Sequence, residues 1–226
     1  MCGRYATTKT NADLSAFFEA VDDAEPLTPS WNVAPTAAVP VIRESQSRGA
    51  RVLGTARWGL VPPWAADLKA GARMINARAE TVATLRSFAP SFARRRCLVP
   101  ADGWFEWVRD GTRKQAFYMT PRADDEPLAF AGLWSAWGPE PVLTCSVVTT
   151  AAKGGLTAVH DRMPLILPRD RWGGWLAGGG DPEELLRPLS ERELDAIQIR
   201  PVGPAVGNVR NNGPELLEAA PEVTLF

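Results

Sequence analysis

Short β-rich segments separated by hairpin-length gaps constrain the fold of this 226-residue chain more than any other sequence feature. Runs of β-branched, aromatic and aliphatic residues predict strands at Val39–Ile42, Val52–Trp58, Trp104–Val108, Ala116–Met119, Leu128–Leu133, Val142–Thr149 and Pro164–Leu167. Between two of them, Asp110-Gly111 is typical of a tight hairpin turn. Because strands this close along the chain pair as antiparallel neighbours, we expect an α+β fold with a mainly antiparallel β core and short peripheral helices.

Helical patterns are fewer and shorter than the strand patterns. Asn11 is a candidate N-cap for an amphipathic helix that carries Leu14, Phe17, Phe18 and Val21. Further helical patterns cover about Ala79–Phe88, Arg169–Leu176, Pro182–Leu186 and Glu191–Ile197. The prolines between Pro26 and Pro40 predict an extended loop instead of a helix. No repeat or low-complexity linker interrupts the sequence, so we expect one domain over residues 1–226.

Composition excludes several classes of protein. The formal charge of −1 gives no global support for a nucleic-acid or membrane binder. No apolar run approaches the roughly 18–20 residues of a transmembrane helix, and the N-terminus lacks the apolar core of a signal peptide, so we expect a cytoplasmic protein, nucleoid-associated if bacterial. The chain has three cysteines without CxxC spacing and a single histidine, His160, which argues against disulfide scaffolds and structural zinc. Two of the cysteines, Cys97 and Cys145, lie in apolar surroundings. We expect neither a metal nor a cofactor.

Positive charge is concentrated in the middle of the chain. Residues 43–96 contain eleven Lys or Arg and three Asp or Glu, a net charge of +8. Such a stretch is either a phosphate-binding face or a solvated surface. Two loops rich in tryptophan and proline, Trp31–Thr36 and Trp58–Trp64, lie around it. Aromatic platforms beside basic groups suit stacking against unpaired bases.

Cys2 becomes the N-terminal residue if Met1 is removed, which a small second residue permits. It then carries an amine with an ordinary pKa of about 7.7–8.0 beside a thiol of about 8.5, so both react near neutral pH. The thiol can attack an acyl carbon with its own amine as base, as in N-terminal-nucleophile amidases. Alternatively, the amine can condense with an aldehyde and the thiol can then close a thiazolidine ring. A retained Met1 blocks the amine.

Two further residues are suited to proton transfer. His160 is followed by Asp161 and Arg162 on a predicted loop, and an imidazole titrating near neutral pH is a natural proton shuttle. Glu106 lies among aromatic residues in the segment DGWFEWV, where strand alternation places Trp104 and Glu106 on one face. Lost hydration there should raise the carboxyl pKa and suit general acid–base catalysis. Each residue also has a non-catalytic interpretation: His160 as a structural imidazole and Glu106 as a solvent-facing carboxylate.

Asn76 and Arg78 lie in the segment MINARAE, just before a predicted helix. Asn76 is either a helix cap or an amide that orients a polar group of a substrate, and Arg78 is either a surface charge or a phosphate ligand. Spacing alone does not decide between these alternatives.

Taken in order, eight segments resemble the SRAP family, the SOS-response-associated peptidase-like proteins that process abasic sites in DNA. They are MCGR, WNVAPT, WGLVPPW, INARAET, ADGWFEW, VVTTAA, VHDRMPLIL and VGNVRNNGPELL, and they run from Cys2 to Leu217. The resemblance implies a single α+β domain with a basic channel that ends at the N-terminal cysteine. It also implies loss of Met1 by self-processing.

By the same resemblance, Cys2 is the nucleophile that forms a thiazolidine crosslink with an abasic deoxyribose in single-stranded DNA. Glu106 matches the family's catalytic glutamate, His160 the histidine that acts on the opened sugar, and Asn76 the residue that positions the aldehyde or Cys2. Residues that match contacts to DNA are Arg4, Pro35, Trp64, Arg78, Arg86 and Arg162. A weak strand-cleaving lyase activity is also implied.

Two other functions remain open from the residues themselves. An amidase or peptidase acting on a small acyl substrate needs the Cys2 thiol and not the basic stretch, whereas a non-catalytic reader of single-stranded DNA needs the basic stretch and not Cys2. We expect a monomer, because no spare apolar helix face stands out, with abasic single-stranded DNA as its partner.

Overall fold

The predicted hairpin at Asp110-Gly111 joins the strand Gly103–Asp110 (β8) to the strand Arg113–Pro121 (β9) in the computed structural model, which describes residues 2–122 and 126–220. Asp110 pairs with Arg113, and Gly111 has a φ of +56°, a left-handed conformation that glycine adopts without strain. The strands on either side form an antiparallel pair over their whole length. This hairpin carries Glu106 and is central to one of two sheets.

Thirteen strands are present in the described residues. They are β1 (Tyr5–Thr7), β2 (Ala20–Asp22), β3 (Ser30–Val33), β4 (Ala38–Ser45), β5 (Ala50–Trp58), β6 (Asn76–Arg78), β7 (Arg96–Ala101), β8 (Gly103–Asp110), β9 (Arg113–Pro121), β10 (Leu128–Trp137), β11 (Val142–Ala151), β12 (Arg162–Pro164) and β13 (Ile197–Val202). Five of them form a sheet in the order β13-β9-β8-β1-β3, and the larger sheet has the order β12-β11-β10-β7-β4-β5-β2. Most pairs are antiparallel, which confirms the expected fold class.

The larger sheet closes on itself. β11 pairs with β10 on one edge and with β5, in parallel, on the other, so that β5, β4, β7, β10 and β11 form a closed barrel. On the β5 side of β11, the short strand β6 continues the parallel pairing, with Asn76 opposite Val147. On the other side, β12 pairs with the end of the same strand. The end of β11 therefore lies between the strand that carries Asn76 and the segment that carries His160.

The five-stranded sheet packs one face against the barrel. Tyr5 of β1 meets Trp58 of β5 edge to face, with ring centroids 5.1 Å apart, and Trp104 of β8 meets Phe130 of β10 at 6.0 Å. A hydrophobic core shared by the barrel and this sheet includes Cys97 and Cys145, both fully buried as predicted. A second core lies between the outside of the barrel and the helices, and a third covers the outer face of the five-stranded sheet.

The helices are short and peripheral. They are α1 (Asn11–Phe18), α2 (Ala89–Arg94), α3 (Trp172–Leu176), α4 (Pro182–Leu185) and α5 (Glu191–Leu194). Among the described residues, no helix is both long and apolar enough to cross a membrane.

Three predicted helix positions were wrong. Thr10, not Asn11, caps α1, because its hydroxyl and Asp13 form a reciprocal capping box. Residues 79–88 form turns instead of a helix, and α2 begins only at Ala89, where Pro90 fits a first helical turn. The last helix ends at Leu194, because Ile197 already begins β13, the edge strand beside β9.

The tight approach of two glycines positions β6. A Cβ atom on Gly71 would lie only 2.2 Å from the carbonyl oxygen of Gly59, and Gly59 has a φ of +127°. The backbone of Leu60 then donates to the carbonyl of Met74 at 3.1 Å. These contacts hold the segment before Asn76 against the end of β5, so that Asn76 meets Cys2.

Candidate active site

Cys2 lies just before β1, at the junction between the five-stranded sheet and the barrel. Cys2 is fully buried. The strand that follows it, β1, is fixed beside β8 by the backbone pairing of Tyr5 with Trp104 and by a 2.9 Å hydrogen bond from the Phe105 N–H to the Arg4 carbonyl. Burial raises the pKa of the Cys2 thiol well above its ordinary value, and the charge of Glu106 raises it further. The thiol is therefore protonated at neutral pH.

Asn76 holds the N-terminal segment from the barrel side. Its Nδ2 atom donates to the main-chain carbonyl of Cys2 at 2.8 Å. The other amide atom, Oδ1, is buried and accepts no hydrogen bond from the described residues. Asn76 belongs to a strand and does not cap a helix, so the helix-cap alternative is wrong, and a role in orienting a substrate stays a prediction.

Glu106 is 3% exposed and lies on the face of β8 that carries Trp104, as strand alternation predicted. Phe105 and Trp107 belong to the opposite face. Loss of hydration raises the pKa of the Glu106 carboxyl from 4.5 to about 7. Near neutral pH the group is present in both protonation states, which suits it to give and to take a proton.

His160 lies on the connection between β11 and β12 and is partly exposed. Its Nδ1 atom accepts the backbone N–H of Arg162 at 2.9 Å and also lies 2.7 Å from Oδ1 of Asp161. Burial lowers the pKa of the imidazole, whereas the Asp161 carboxylate raises it. The same carboxylate raises the pKa of Glu106, which indicates that this connection lies close to Glu106.

Arg162 is held by protein groups in this structure. Its Nη1 and Nη2 atoms bind the two carboxylate oxygens of Glu80 at 2.5 and 3.0 Å, and Nη2 also donates to the carbonyl of Thr149 at 2.6 Å. The side chain thus crosses the end of β11 and joins the segment after β6 to β12. Contact of Arg162 with a phosphate stays a prediction. For such a contact, the guanidinium would have to bind the phosphate in addition to Glu80 or in its place.

Arg78, Arg86 and Trp64 are exposed. Trp64 is 54% exposed and carries the Arg86 guanidinium above its ring, 4.9 Å from the centroid. The Arg78 side chain forms no hydrogen bond or ion pair with any other residue in the described part of the chain. Trp64 and Arg86, from two separate segments of the basic stretch, therefore form a cation–π pair on the surface. Arg78 is the last residue of β6, the strand that begins at Asn76.

Arg4 is part of an internal network. Its Nη1 donates to Oδ1 of Asn32 at 2.7 Å and to the carbonyl of Val206 at 2.8 Å, and its guanidinium faces the Trp107 ring. Asn32 in turn donates to the carbonyls of Asn208 and Asn211. This network joins the segments WNVAPT and VGNVRNNGPELL, because polar groups of one satisfy polar groups of the other. A phosphate contact by Arg4 stays a prediction.

Pro35 is half-buried in a strained turn. The following residue, Thr36, has a φ of +75°, which is unfavourable for a β-branched residue. Hydrogen bonds of 2.8 Å from the Thr36 N–H to the Trp58 carbonyl, and from the Trp58 N–H to the Ala37 carbonyl, hold the turn in place. The Pro35 loop is thereby fixed to the start of the Trp58–Trp64 loop.

Sequence reasoning did not single out Glu80, Asn32 or Asp161 as site residues, although all three lie inside the quoted motifs. The partners of Glu80 and Asn32 are distant along the chain, so no local pattern reveals them. Asp161 directly follows His160, and that adjacency was the available signal. Across residues 2–122 and 126–220, no group of three or more His, Cys, Asp or Glu side chains could hold a metal ion.

The chain is similar to known proteins over nearly its whole length. A family model described as SOS response associated peptidase (SRAP) matches residues 1–209. The abasic site processing protein YoqW of Bacillus subtilis (strain 168) is 36% identical over 226 residues, which cover 97% of this chain and 100% of that protein. The abasic site processing protein YedK of Escherichia coli (strain K12) is 35% identical over 228 residues, with 96% and 99% covered. HMCES of Xenopus tropicalis, also named an abasic site processing protein, is 29% identical over 267 residues, with 97% and 78% covered.

Solved structures show the same fold. A protein from Bacteroides thetaiotaomicron superposes with a TM-score of 0.83 at 23% identity, over 97% of this chain and all of that one. A protein from Bordetella bronchiseptica superposes with a TM-score of 0.74 at 27% identity, over 89% of this chain and all of that one.

Proposed function

This chain belongs to the SOS response associated peptidase (SRAP) family, and on that premise we propose that it captures abasic sites in single-stranded DNA as a covalent crosslink through Cys2. The observation that carries the proposal is the hydrogen bond of 2.8 Å from the Asn76 amide to the Cys2 carbonyl. The charge of Glu106 also raises the pKa of the Cys2 thiol. An abasic deoxyribose opens to an aldehyde, which is the electrophile that an N-terminal cysteine traps through both of its functional groups.

The amine of Cys2 reacts first in this mechanism. After Met1 is removed, its nitrogen attacks the aldehyde carbon and forms a carbinolamine, whose hydroxyl leaves as water when an acid supplies a proton. The acid is Glu106, whose pKa near 7 keeps part of the population protonated at neutral pH. The product is an imine between Cys2 and the sugar.

The thiol reacts second, because burial keeps it protonated until a base is available. Glu106, now ionised, takes the thiol proton while the sulfur adds to the imine carbon, and a proton goes to the imine nitrogen. The net reaction joins an aldehyde and an aminothiol into a thiazolidine with loss of one water. His160 assists opening of the sugar ring, and the buried Oδ1 of Asn76 accepts a hydrogen bond from the amine or from the sugar.

Exposed groups of the basic stretch suit a flexible, single-stranded backbone. The Trp64 ring with Arg86 above it offers a surface for an unpaired base, and Arg78 offers an exposed guanidinium for a phosphate. On the neighbouring loop, the strained turn at Thr36 fixes Pro35 as a rigid group that can insert beside the abasic sugar. Base stacking and phosphate contacts of this kind do not read sequence, as expected for a protein that responds to a lesion.

Intact mass spectrometry tests the proposed function. We expect the purified protein to have lost Met1, and after incubation with a single-stranded oligonucleotide carrying one abasic site to gain the oligonucleotide mass less one water, at Cys2. An undamaged oligonucleotide is the control and gives no adduct. Met1 loss without an adduct would contradict the proposal and favour the amidase. A protein that retains Met1 is first treated with a methionine aminopeptidase and then measured again.

Binding at different salt concentrations tests the DNA surface. We expect Arg78→Gln and Arg86→Gln each to weaken binding to undamaged single-stranded DNA, which forms no covalent adduct, and to reduce the slope of log K against log salt by about 0.7, the value of one phosphate contact. Arg48→Gln is a matched control, because Arg48 already pairs with Asp23 at 2.8 Å and should leave the slope unchanged. An equal effect of all three variants would indicate only a general loss of positive charge.

A further inference from the structure

One nitrogen of the single histidine has two competing partners. Nδ1 of His160 accepts the backbone N–H of Arg162 at 2.9 Å, which requires a lone pair on that nitrogen. Oδ1 of Asp161 lies 2.7 Å from the same nitrogen, and a carboxylate can bind it only if the nitrogen carries a proton. The two contacts therefore belong to different protonation states of the ring.

We propose that Asp161 is a positioning residue that receives the Nδ1–H of His160 and so places the lone pair of the neutral ring on Nε2, which then acts as a base in the reaction proposed above. With the Arg162 N–H on Nδ1, the neutral ring carries its proton on Nε2 and can only donate there. With Asp161 on Nδ1–H, the Nε2 lone pair is available, and the charge that follows proton uptake is compensated by the carboxylate. Arg162 and Asp161 thus favour opposite tautomers.

Main-chain bonds fix where these groups stand. The His160 N–H donates to the Leu156 carbonyl at 3.1 Å, and the Ala152 N–H donates to the Asp161 carbonyl at 2.9 Å. The Asp161 side chain itself is 84% exposed, compared with 26% for His160. The carboxylate can therefore approach or leave Nδ1 by side-chain rotation alone, without displacing the imidazole.

The charges around the ring act in opposite directions. Burial and the Arg162 cation lower the pKa of His160. Asp161 opposes these effects on His160, and its charge also raises the pKa of Glu106. The Arg162 guanidinium is partly neutralised by Glu80. Asp161 is thus the acidic residue of this segment that influences both groups assigned to proton transfer.

Because the chain contains one histidine, NMR can test the proposal without spectral assignment. We expect Asp161→Asn to move the titration midpoint of the His160 ring protons to lower pH, by a few tenths of a pH unit for a partly exposed pair. The ring ¹⁵N shifts above the midpoint should move toward the tautomer protonated on Nε2. Asp170→Asn is the matched control, since it removes one exposed aspartate from the turn before α3, and it should change neither quantity.

Crosslinking kinetics provide the second measurement. We expect Asp161→Asn to reduce the rate at neutral pH by about two- to fivefold, the scale of one partly exposed charge pair. In a His160→Ala background the same substitution should have a smaller effect, because the ring is absent and only the influence of Asp161 on Glu106 remains. Asp161→Glu should restore part of the rate.

The outcomes separate this inference from the proposed function. An unchanged His160 midpoint and tautomer in Asp161→Asn would overturn the role of Asp161, even if the protein crosslinks DNA. A shifted midpoint in a protein that forms no adduct would overturn the proposed function and leave the control of the His160 tautomer in place. An equal rate loss in the His160→Ala background would also overturn the inference, because Asp161 would then act independently of the ring.

Discussion

Replacing Cys2 with alanine should reduce the heat-stable DNA adduct to background while leaving a reversible imine. After Met1 removal the variant keeps an N-terminal amine, which still condenses with the abasic aldehyde. It lacks the sulfur that closes the thiazolidine, so the product hydrolyses on heating. Borohydride reduction should trap the imine in Cys2→Ala, and mass spectrometry before and after heating measures both species.

The same variant should cleave the DNA strand more often than the wild-type protein does. An imine acidifies the neighbouring carbon of the sugar, and loss of that proton expels the phosphate on the 3′ side by β-elimination. In the wild type the thiol captures the imine before elimination. The Cys2 variant therefore distinguishes the contributions of the amine and the thiol, and gel electrophoresis of the oligonucleotide measures the cleavage.

Cys97→Ala and Cys145→Ala are the matched controls. Both thiols are fully buried inside the protein core, and burial raises the pKa of each. Neither variant should lose the adduct. A heat-stable adduct in Cys2→Ala would contradict the thiazolidine, and loss of the adduct in all three variants would indicate a general effect on the fold.

Local sequence patterns predicted the parts of the fold that depend on neighbouring residues. The hairpin at Asp110-Gly111, the alternation that places Trp104 and Glu106 on one face, and the burial of Cys97 and Cys145 follow from turn chemistry and side-chain polarity. Closure of the barrel by the parallel pairing of β5 with β11 could not be predicted in this way. That pairing joins segments far apart in the chain, and their local patterns are compatible with several partners.

The turn after Asn76 shows why one helix was placed wrongly. Residues 79–88 contain good helix formers, but the strand Asn76–Arg78 pairs with β11 and the Ala79 N–H donates to the Thr149 carbonyl at 2.8 Å. Tertiary hydrogen bonds therefore outweigh helix propensity at this point. The same contacts bring Glu80 to Arg162, an ion pair between residues 82 positions apart that no periodicity indicates.

Replacing Glu106 with glutamine should make the protein less active and more stable at alkaline pH. Activity falls because glutamine keeps the shape of the side chain but cannot transfer a proton. General acid–base groups contribute about 10²–10⁴-fold to a rate, and we expect the crosslinking rate to fall within that range. Rates measured with excess protein, at fixed DNA concentration, give the ratio directly.

The gain in stability follows from the raised pKa. The folded protein keeps the Glu106 proton up to about pH 7, whereas an ordinary glutamate loses it near 4.5. Above pH 4.5 the Glu106 carboxyl ionises in the unfolded chain but not yet in the folded protein, and this ionisation favours unfolding. The contribution of Glu106 to the free energy of unfolding therefore falls as the pH rises from 4.5 to about 7. At about 1.4 kcal/mol per pKa unit, the total loss is on the order of 3 kcal/mol.

Glutamine does not ionise and therefore removes this penalty. We expect Glu106→Gln to have a Tm close to that of the wild type at pH 5 and about 5 °C or more above it at pH 8. Each 1 kcal/mol shifts Tm by about 2–4 °C in a chain of this size. Thermal denaturation followed by circular dichroism at the two pH values measures the difference. Glu44→Gln, an exposed glutamate on β4, should show no such pH-dependent gain. A variant less stable than the wild type at pH 8 would mean that the folded protein binds the ionised carboxylate more favourably than water does. In that case Glu106 would remain charged through the reaction, and the first proton would have to come from His160.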